Sequence, residues 1–291
     1  MWRLFCAESV PRFRQMESGK HGNNMLKKSR RLPGGTEAAM NRKTFYINDR
    51  IIYNEISVQT DSINKFYEIH NPDNERIVAI PDGCIDIQYV WKNGVMHPQL
   101  CGSFMQGKPS RIGDYDYCFG VKFNPGQMPD WIEADASKLM EAREDLGKYS
   151  ECCKNFNVEQ DMPFTDKIRM FTDEYDCSAD MTDRRAMTMY VVNKIDENRG
   201  YVNINELVER VGYSHCYTDR VFKNAVGLSM KQYANIVRIQ RSLDILGEKN
   251  AADVCNDLGY YDQSHFIKDF KKFTLMTPKA YYKKPAEEHF V

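Results

Sequence analysis

Between Phe45 and Trp131 the apolar residues fall in short runs divided by turn-forming clusters. Ile51-Ile52-Tyr53, Ile77-Val78-Ala79-Ile80, the stretch from Ile85 to Trp91 and the stretch from Tyr117 to Phe123 predict strands. Asn71-Pro72-Asp73, Pro81-Asp82-Gly83, Lys92-Asn93-Gly94 and Asn124-Pro125-Gly126 predict the turns. Asn93-Gly94 between two apolar runs predicts a tight hairpin, because both residues tolerate positive φ. Strands at this spacing predict a small barrel or sandwich. From 133 to 182 the texture turns helical. Phe164, Ile168, Phe171 and Tyr175 recur at spacings of 4, 3 and 4, one stripe of a helix. Such a stripe packs on its own domain or on a second subunit.

Residues 184–284 read as helix throughout, with a repeat. Gly212-Tyr213 and Phe222-Lys223 in one unit return as Gly259-Tyr260 and Phe270-Lys271 about 47 residues later. Each unit reads as helix–turn–helix. In the first, Asn203 caps a helix that ends at Gly212, and Ser214 caps a second whose core side is Tyr217, Val221 and Phe222. Cys216, Asp219, Arg220 and Lys223 share its opposite face. In the second unit, a helix from Ala251 ends at Gly259. Asp262 caps the next, whose core side is Phe266, Phe270 and Phe273. Ser264, Ile267, Lys268 and Lys271 form its outer stripe, with Gln263 beside them at the N-terminal end. A long helix from Leu228 to Gly247, about 20 residues and roughly 30 Å, joins the units. A helix fits the DNA major groove; Arg pairs with guanine and Gln with adenine in bidentate fashion. One such basic stripe is equally well a solvated surface, but two joined units are not readily an accident.

Composition narrows the picture. At roughly 150 residues per domain, 291 residues predict two domains. No apolar run reaches the roughly 18 residues of a membrane helix, and no secretory segment follows Met1, so no membrane partner and a cytoplasmic location are expected. The nine cysteines are odd in number and lack C-x-x-C, which fits reduced thiols and not a disulfide or zinc framework. Charge is uneven. Residues 1–39 carry 8 basic and 3 acidic side chains, 40–182 carry 15 and 24, and 183–284 carry 17 and 12. A basic C-terminal third behind an acidic middle predicts different partners for the two parts. The expected division is a disordered basic tail at 1–39, with Met40 a second candidate start, and a β-rich regulatory domain at 40–132. A helical linker or dimerisation segment at 133–182, a DNA-binding domain at 183–284 and a tail at 285–291 complete it.

The run from Asp253 to Lys272, with Gly259-Tyr260, Asp262, Ser264, Phe266 and Phe270-Lys271 in place, followed by Thr277-Pro278 and Tyr281, resembles the AraC/XylS-type transcriptional regulators. Leu207, Gly212-Tyr213, Tyr217, Arg220, Phe222-Lys223, Gly227, Tyr233 and Arg238 extend the resemblance over 184–284, about a third of the chain. It implies an all-α domain whose two units enter successive major grooves of double-stranded DNA. It also implies base contacts from Cys216, Asp219 and Arg220, and from Gln263, Ser264, Ile267 and Lys268. Two positions depart from the family pattern: Leu275 replaces a Gly and Tyr282 a common Arg. The distorted turn and altered phosphate contacts expected from them leave the fold intact. Pro81-Asp82-Gly83-Cys84-Ile85-Asp86 and the stretch from Phe119 to Gly126 are similar to a cupin-like N-terminal domain of these regulators, a small β-barrel followed by helices. This implies effector sensing or dimerisation, with RNA polymerase and a second copy as further expected partners. In the alternative reading, the N-terminal domain only recruits or dimerises and binds no effector.

Catalysis has a weak case. Cys84 between Asp82 and Asp86, with His70 and His97 elsewhere, would need a histidine at the thiol. No H-x-H supplies a cupin metal site, and no four-cysteine cluster supplies a methyl-acceptor zinc site. No catalytic residue, metal or cofactor is expected.

Overall fold

The computed structural model describes residues 42–58, 60–152, 156–178 and 180–282. The expected tails at 1–39 and 285–291 lie outside the described residues. Among the described residues no helix is long and apolar enough to cross a membrane.

The described N-terminal residues form nine strands: β1 (Phe45–Tyr46), β2 (Ile52–Ser57), β3 (Ile63–His70), β4 (Val78–Ala79), β5 (Asp86–Lys92), β6 (Val95–Cys101), β7 (Lys108–Pro109), β8 (Tyr117–Phe123) and β9 (Arg143–Asp145). Six pair antiparallel in the order β2-β3-β8-β5-β6-β9, and β1-β4-β7 form a second antiparallel sheet. The β5–β6 hairpin turns on Asn93 and Gly94, at φ 52° and 76°, as the sequence predicts. Both faces of the larger sheet are buried. On one, Phe66, Ile87, Tyr89, Phe119 and Val121 pack against Phe156 and Phe171. Alternate residues Tyr67, Ile69, Val90 and Cys118 form a second cluster on the other face.

The stripe Phe164, Ile168, Phe171, Tyr175 lies on α1 (Phe164–Glu174) and its C-cap, and it packs on its own domain. The rest of the predicted helical segment is different. The described part of 133–163 contains β9 and the 3-10 turn Leu146–Lys148, and no α-helix. Arg143–Asp145 instead pairs with the open edge of β6, whose free backbone groups reward a strand more than local propensity rewards a helix.

Seven helices follow: α2 (Asp183–Glu197), α3 (Ile204–Val211), α4 (His215–Val226), α5 (Met230–Ile245), α6 (Ala251–Asp257), α7 (Gln263–Thr274) and α8 (Pro278–Tyr282). The predicted caps Asn203, Ser214 and Asp262 each accept a backbone N–H of the helix they open. The joining helix is shorter than expected. Ser229 and Gln232 close a capping box, and the helix holds 16 residues, about 24 Å. It is also no exposed rod, since only Lys231 and Asp244 along it are exposed. Tyr217, assigned to the core side, is half-buried and packs at a tilt against Tyr213 with ring centroids 5.1 Å apart.

The two domains meet on α5. The Gln240 side chain is fully buried. Its amide donates to the Lys43 and Pro81 carbonyls at 2.8 and 2.7 Å, and its oxygen accepts the Lys43 N–H at 2.7 Å. The buried Arg42 guanidinium donates to the Asp82 carbonyl at 3.1 Å, and to Asp196 and the Tyr233 hydroxyl at 2.6 Å each. Ile80 enters the helical core.

Leu275 takes the left-handed conformation, φ 62°, that the family glycine would adopt. The turn is therefore kept, with the strain carried by the Cβ. The Tyr282 hydroxyl donates to the Leu243 carbonyl, so it ties α8 to α5 where a family arginine would carry charge.

Leu275→Gly should remove about 1–2 kcal/mol of left-handed strain, offset by some gain in unfolded-chain entropy. A net rise in the urea midpoint with unchanged m-value checks it. Gln240→Ala leaves three backbone groups without their partner and should cost at least about 1–3 kcal/mol in the same assay.

Candidate nucleic-acid interface

Each candidate reading helix, α4 and α7, is placed by its own amphipathic pattern. In α4, Thr218, Val221, Phe222 and Val226 are buried, which turns Cys216, Arg220 and Lys223 outward. The Arg220 guanidinium stands 5.7 Å from the Tyr217 ring centroid, which braces it near the helix surface. Asp219 is set apart from the other three. It is half-buried, and its carboxylate accepts the Met230 N–H at 3.3 Å, tying α4 to the start of α5. In α7, buried Phe266, Phe270 and Phe273 leave Gln263, Ser264, Lys268 and Lys271 exposed. Ile267 is half-buried and packs against the helical core. Seven of the nine expected residues thus stand exposed, and Asp219 and Ile267 are partly spent on packing.

Two exposed aromatics were missed by the motif reading. Tyr213 is 54% exposed and Tyr261 94%, and both lie in the turns that lead into the reading helices. The repeated Gly-Tyr was visible in sequence, but in the second unit Tyr260 is buried and its neighbour Tyr261 takes the outward place.

The N-terminal domain grips both reading helices at equivalent places. The last carbonyls of an α-helix have no partner within it. The Ala136 N–H donates to the Asn224 carbonyl in the last turn of α4, at 3.1 Å. The Gly107 N–H donates to the Lys272 carbonyl in the last turn of α7, also at 3.1 Å. Each acceptor lies two residues before its helix ends. A Cβ at Gly107 would collide with the Phe273 carbonyl, so only glycine lets this loop approach so closely.

Behind that loop lies a cavity of about 350 Å³, floored by the larger sheet. Lys122 on its floor is 2.7 Å from both Asp82 and Asp86. Burial opposes the Lys122 charge, but the two carboxylates outweigh it and hold the ammonium above its ordinary range. Asp86 also accepts the Tyr67 hydroxyl at 2.8 Å, and Gln88 donates to that hydroxyl at 2.8 Å. Asp82 links this floor to the domain seam, because its carbonyl accepts from Arg42. Sequence reading singled out Asp82, Cys84 and Asp86 but had no means to pair them with Lys122. Cys84 is buried beside Asp82, and burial raises its thiol pKa, the reverse of what a nucleophile needs. His70 lies instead against Glu68 at 3.6 Å, and His97 beside Tyr115.

Residues 207–284 match the family described as "Helix-turn-helix domain". The transcriptional regulatory protein HptR of Staphylococcus aureus is 30% identical over 100 residues, 32% of this chain and 40% of HptR. The chain therefore spans well under half the length of these curated relatives. The uncharacterized HTH-type transcriptional regulator YtdP of Bacillus subtilis is 24% identical over 148 residues, 50% of this chain and 19% of YtdP. Among solved structures, the C-terminal domain of AraT, a response regulator from Geobacillus stearothermophilus, covers 38% of this chain and 92% of its own at 18% identity and TM-score 0.31. ToxT from Vibrio cholerae covers 82% and 98% at 12% identity and TM-score 0.36. The chain carries, over residues 207–284, the double helix–turn–helix domain of the AraC/XylS-type transcriptional regulators.

Proposed function

We propose that this chain is a sequence-specific transcriptional regulator that reads two successive major-groove segments and is governed by a small-molecule effector bound in its N-terminal domain. Cys216, Arg220 and Lys223 serve the first segment, and Gln263, Ser264, Lys268 and Lys271 the second. Asp219 and Ile267 act mainly by holding their helices in place. The observation that carries the reading is the paired grip of Ala136 and Gly107 on the last turns of α4 and α7. A domain that touches both reading helices at the same position can set their relative placement. Its cavity lies directly behind one of the two gripping segments.

A purely recruiting or dimerising N-terminal domain fits less well. The α1 stripe that would have served a second subunit is buried within its own domain. Recruitment of RNA polymerase and pairing of two copies on DNA are compatible with the effector reading and belong to this proposal.

Footprinting of the full chain on its operator should show protection of two major-groove segments about 10 base pairs apart. Affinity should fall steeply with salt as phosphates release counterions. A single protected segment, or a flat salt response, would remove the two-groove reading.

Arg220→Ala and Lys271→Ala should differ. Arg220 faces outward, and its loss should cost about 1–3 kcal/mol and relax preference at one base position. Lys271 lies toward the C-terminal end of α7, where backbone is expected. Its loss should weaken all sequences alike and lower the salt slope by about one unit. Binding to a randomised operator library separates the two outcomes; equal effects on sequence preference would count against the assignment.

A further inference from the structure

Both candidate reading helices are preceded by a tyrosine that the fold leaves outside. Ser214 and Asp262 are the N-caps of α4 and α7, and both are extended, with ψ of 149° and 168°. Each cap side chain folds back on its helix, Ser214 onto the Tyr217 N–H and Asp262 onto the His265 N–H. Side chains alternate along an extended chain, so the residue before each cap is directed away from the helix it precedes. That residue is Tyr213 in the first unit and Tyr261 in the second, and both are exposed, Tyr261 almost completely. Among the described residues neither hydroxyl has a hydrogen-bond partner.

The two units reach this arrangement by turns of different length. One residue separates Gly212 from its cap, and two separate Gly259 from its cap. By order after the glycine, the equivalent of Tyr213 is Tyr260, yet Tyr260 is buried with its ring 5.2 Å from that of Phe266. The residue ahead of an N-cap often packs on the fourth helical residue and fixes the entry of the chain. In α7 that fourth residue is Phe266, and Tyr260 already covers it. Packing therefore gives Tyr261 no task. In α4, Tyr213 lies against Tyr217 and Tyr217 against Arg220, at 5.1 and 5.7 Å. The Tyr213 ring is thus braced in a row that ends on a residue expected to touch a base.

The shape of duplex DNA decides what these hydroxyls meet. The N-terminal residues of a helix in the major groove reach base edges. A residue one step before the helix, directed away from it, stands at the groove wall, which is sugar and phosphate. Tyrosine is among the side chains that donate to phosphate oxygens, contacts that position a protein without reading sequence. We propose that Tyr213 and Tyr261 are paired DNA-backbone contacts, each donating its hydroxyl to a phosphate at the edge of the groove that its helix enters. The proposal rests on the two-groove reading above and deepens it. It carries a signature that a lysine contact lacks. A phenol is neutral, so its removal leaves the number of released counterions, and with it the salt slope, unchanged.

The test uses the full chain and the duplexes it selects from the randomised operator library. Tyr213→Phe and Tyr261→Phe should each weaken binding roughly three- to tenfold, with base preference and salt slope unchanged. The double variant should show the product of the two losses, because the two sites share no partner. Phenylalanine keeps the packing on Tyr217, and unchanged melting temperatures show that the variants fold. If Tyr213→Phe fails this control, Tyr261→Phe decides alone, since its ring rests on almost nothing. Scanning a neutral methylphosphonate along both strands locates the partner. At one position beside the second segment it should weaken wild type but not Tyr261→Phe, and Tyr213→Phe should behave in the same way at the first. Wild-type affinity in either folded Phe variant, a shift in base preference, a lower salt slope, or a loss that persists at every methylphosphonate position would each overturn the proposal. Unchanged duplex binding with weaker capture of RNA polymerase would assign the tyrosines to a protein partner and overturn it too. Failure of the wild-type chain to select any duplex would overturn the two-groove reading and this proposal with it, whereas a selected duplex indifferent to both hydroxyls would overturn this proposal alone.

Discussion

A helix buried on nearly all sides must find a partner for every polar group it carries, and α5 carries two large ones, Tyr233 and Gln240. Gln240 finds no side-chain partner within the helical domain, and Tyr233 finds only one of its two there. Tyr233 donates to Asp196 at 2.9 Å and accepts from Arg42, and Gln240 pairs with the backbone of Lys43 and Pro81. The helical core is thus completed by residues of the other domain. Removing them would expose buried donors and acceptors, each worth about 1–3 kcal/mol. The joining helix therefore spaces the two helix–turn–helix units and also carries the connection between the domains.

The helix–turn–helix units were legible because their signals are local. Caps, a C-terminal glycine and a 3.6-residue apolar period all lie within about a dozen residues of one another. Asn203, Ser214 and Asp262 announce their helices, and Phe266, Phe270 and Phe273 fix which face of α7 turns inward. The hairpin at Asn93-Gly94 was legible for the same reason. What failed was non-local. β9 exists because β6 offers an edge, and nothing within 143–145 specifies a strand. The grip of Gly107 on Lys272 joins positions 165 residues apart, and the pairing of Lys122 with Asp82 joins the end of β8 to the loop between β4 and β5. Nothing near Gln240 in sequence announces its partners, because Lys43 and Pro81 come from another domain.

Leu275 illustrates a different limit. A missing family glycine suggested a distorted turn, yet the turn is conserved and the residue is strained. The order of energies explains the outcome. Left-handed backbone costs a non-glycine residue about 1–2 kcal/mol. Thr274 accepts the Met276 N–H at 3.2 Å and donates to the Phe270 and Met276 carbonyls at 2.8 and 3.0 Å, and Phe273 is buried beside it. Opening the turn would give up those contacts together, so local strain is the smaller cost.

The seam between the domains is built mainly from directional polar contacts, with Ile80 and a few partly buried apolar neighbours filling in. That composition has a physical consequence. Apolar contacts tolerate sliding, because burial depends on area and not on angle. A hydrogen bond such as Gly107 N–H to Lys272 carbonyl weakens steeply with misalignment. A small displacement of the Phe104–Pro109 segment is therefore felt at α7 as the loss of a specific bond. The same holds at the Asp82 wall, where the carbonyl that holds Arg42 belongs to the residue whose carboxylate holds Lys122. A ligand shifts such an equilibrium only by its difference in affinity between the two arrangements. A few kcal/mol of difference suffices when each arrangement is held by a handful of bonds of about that size. Cavity and seam share Asp82, and the Phe104–Pro109 segment that lines the cavity holds α7 through Gly107, so these are the residues through which a bound ligand would act.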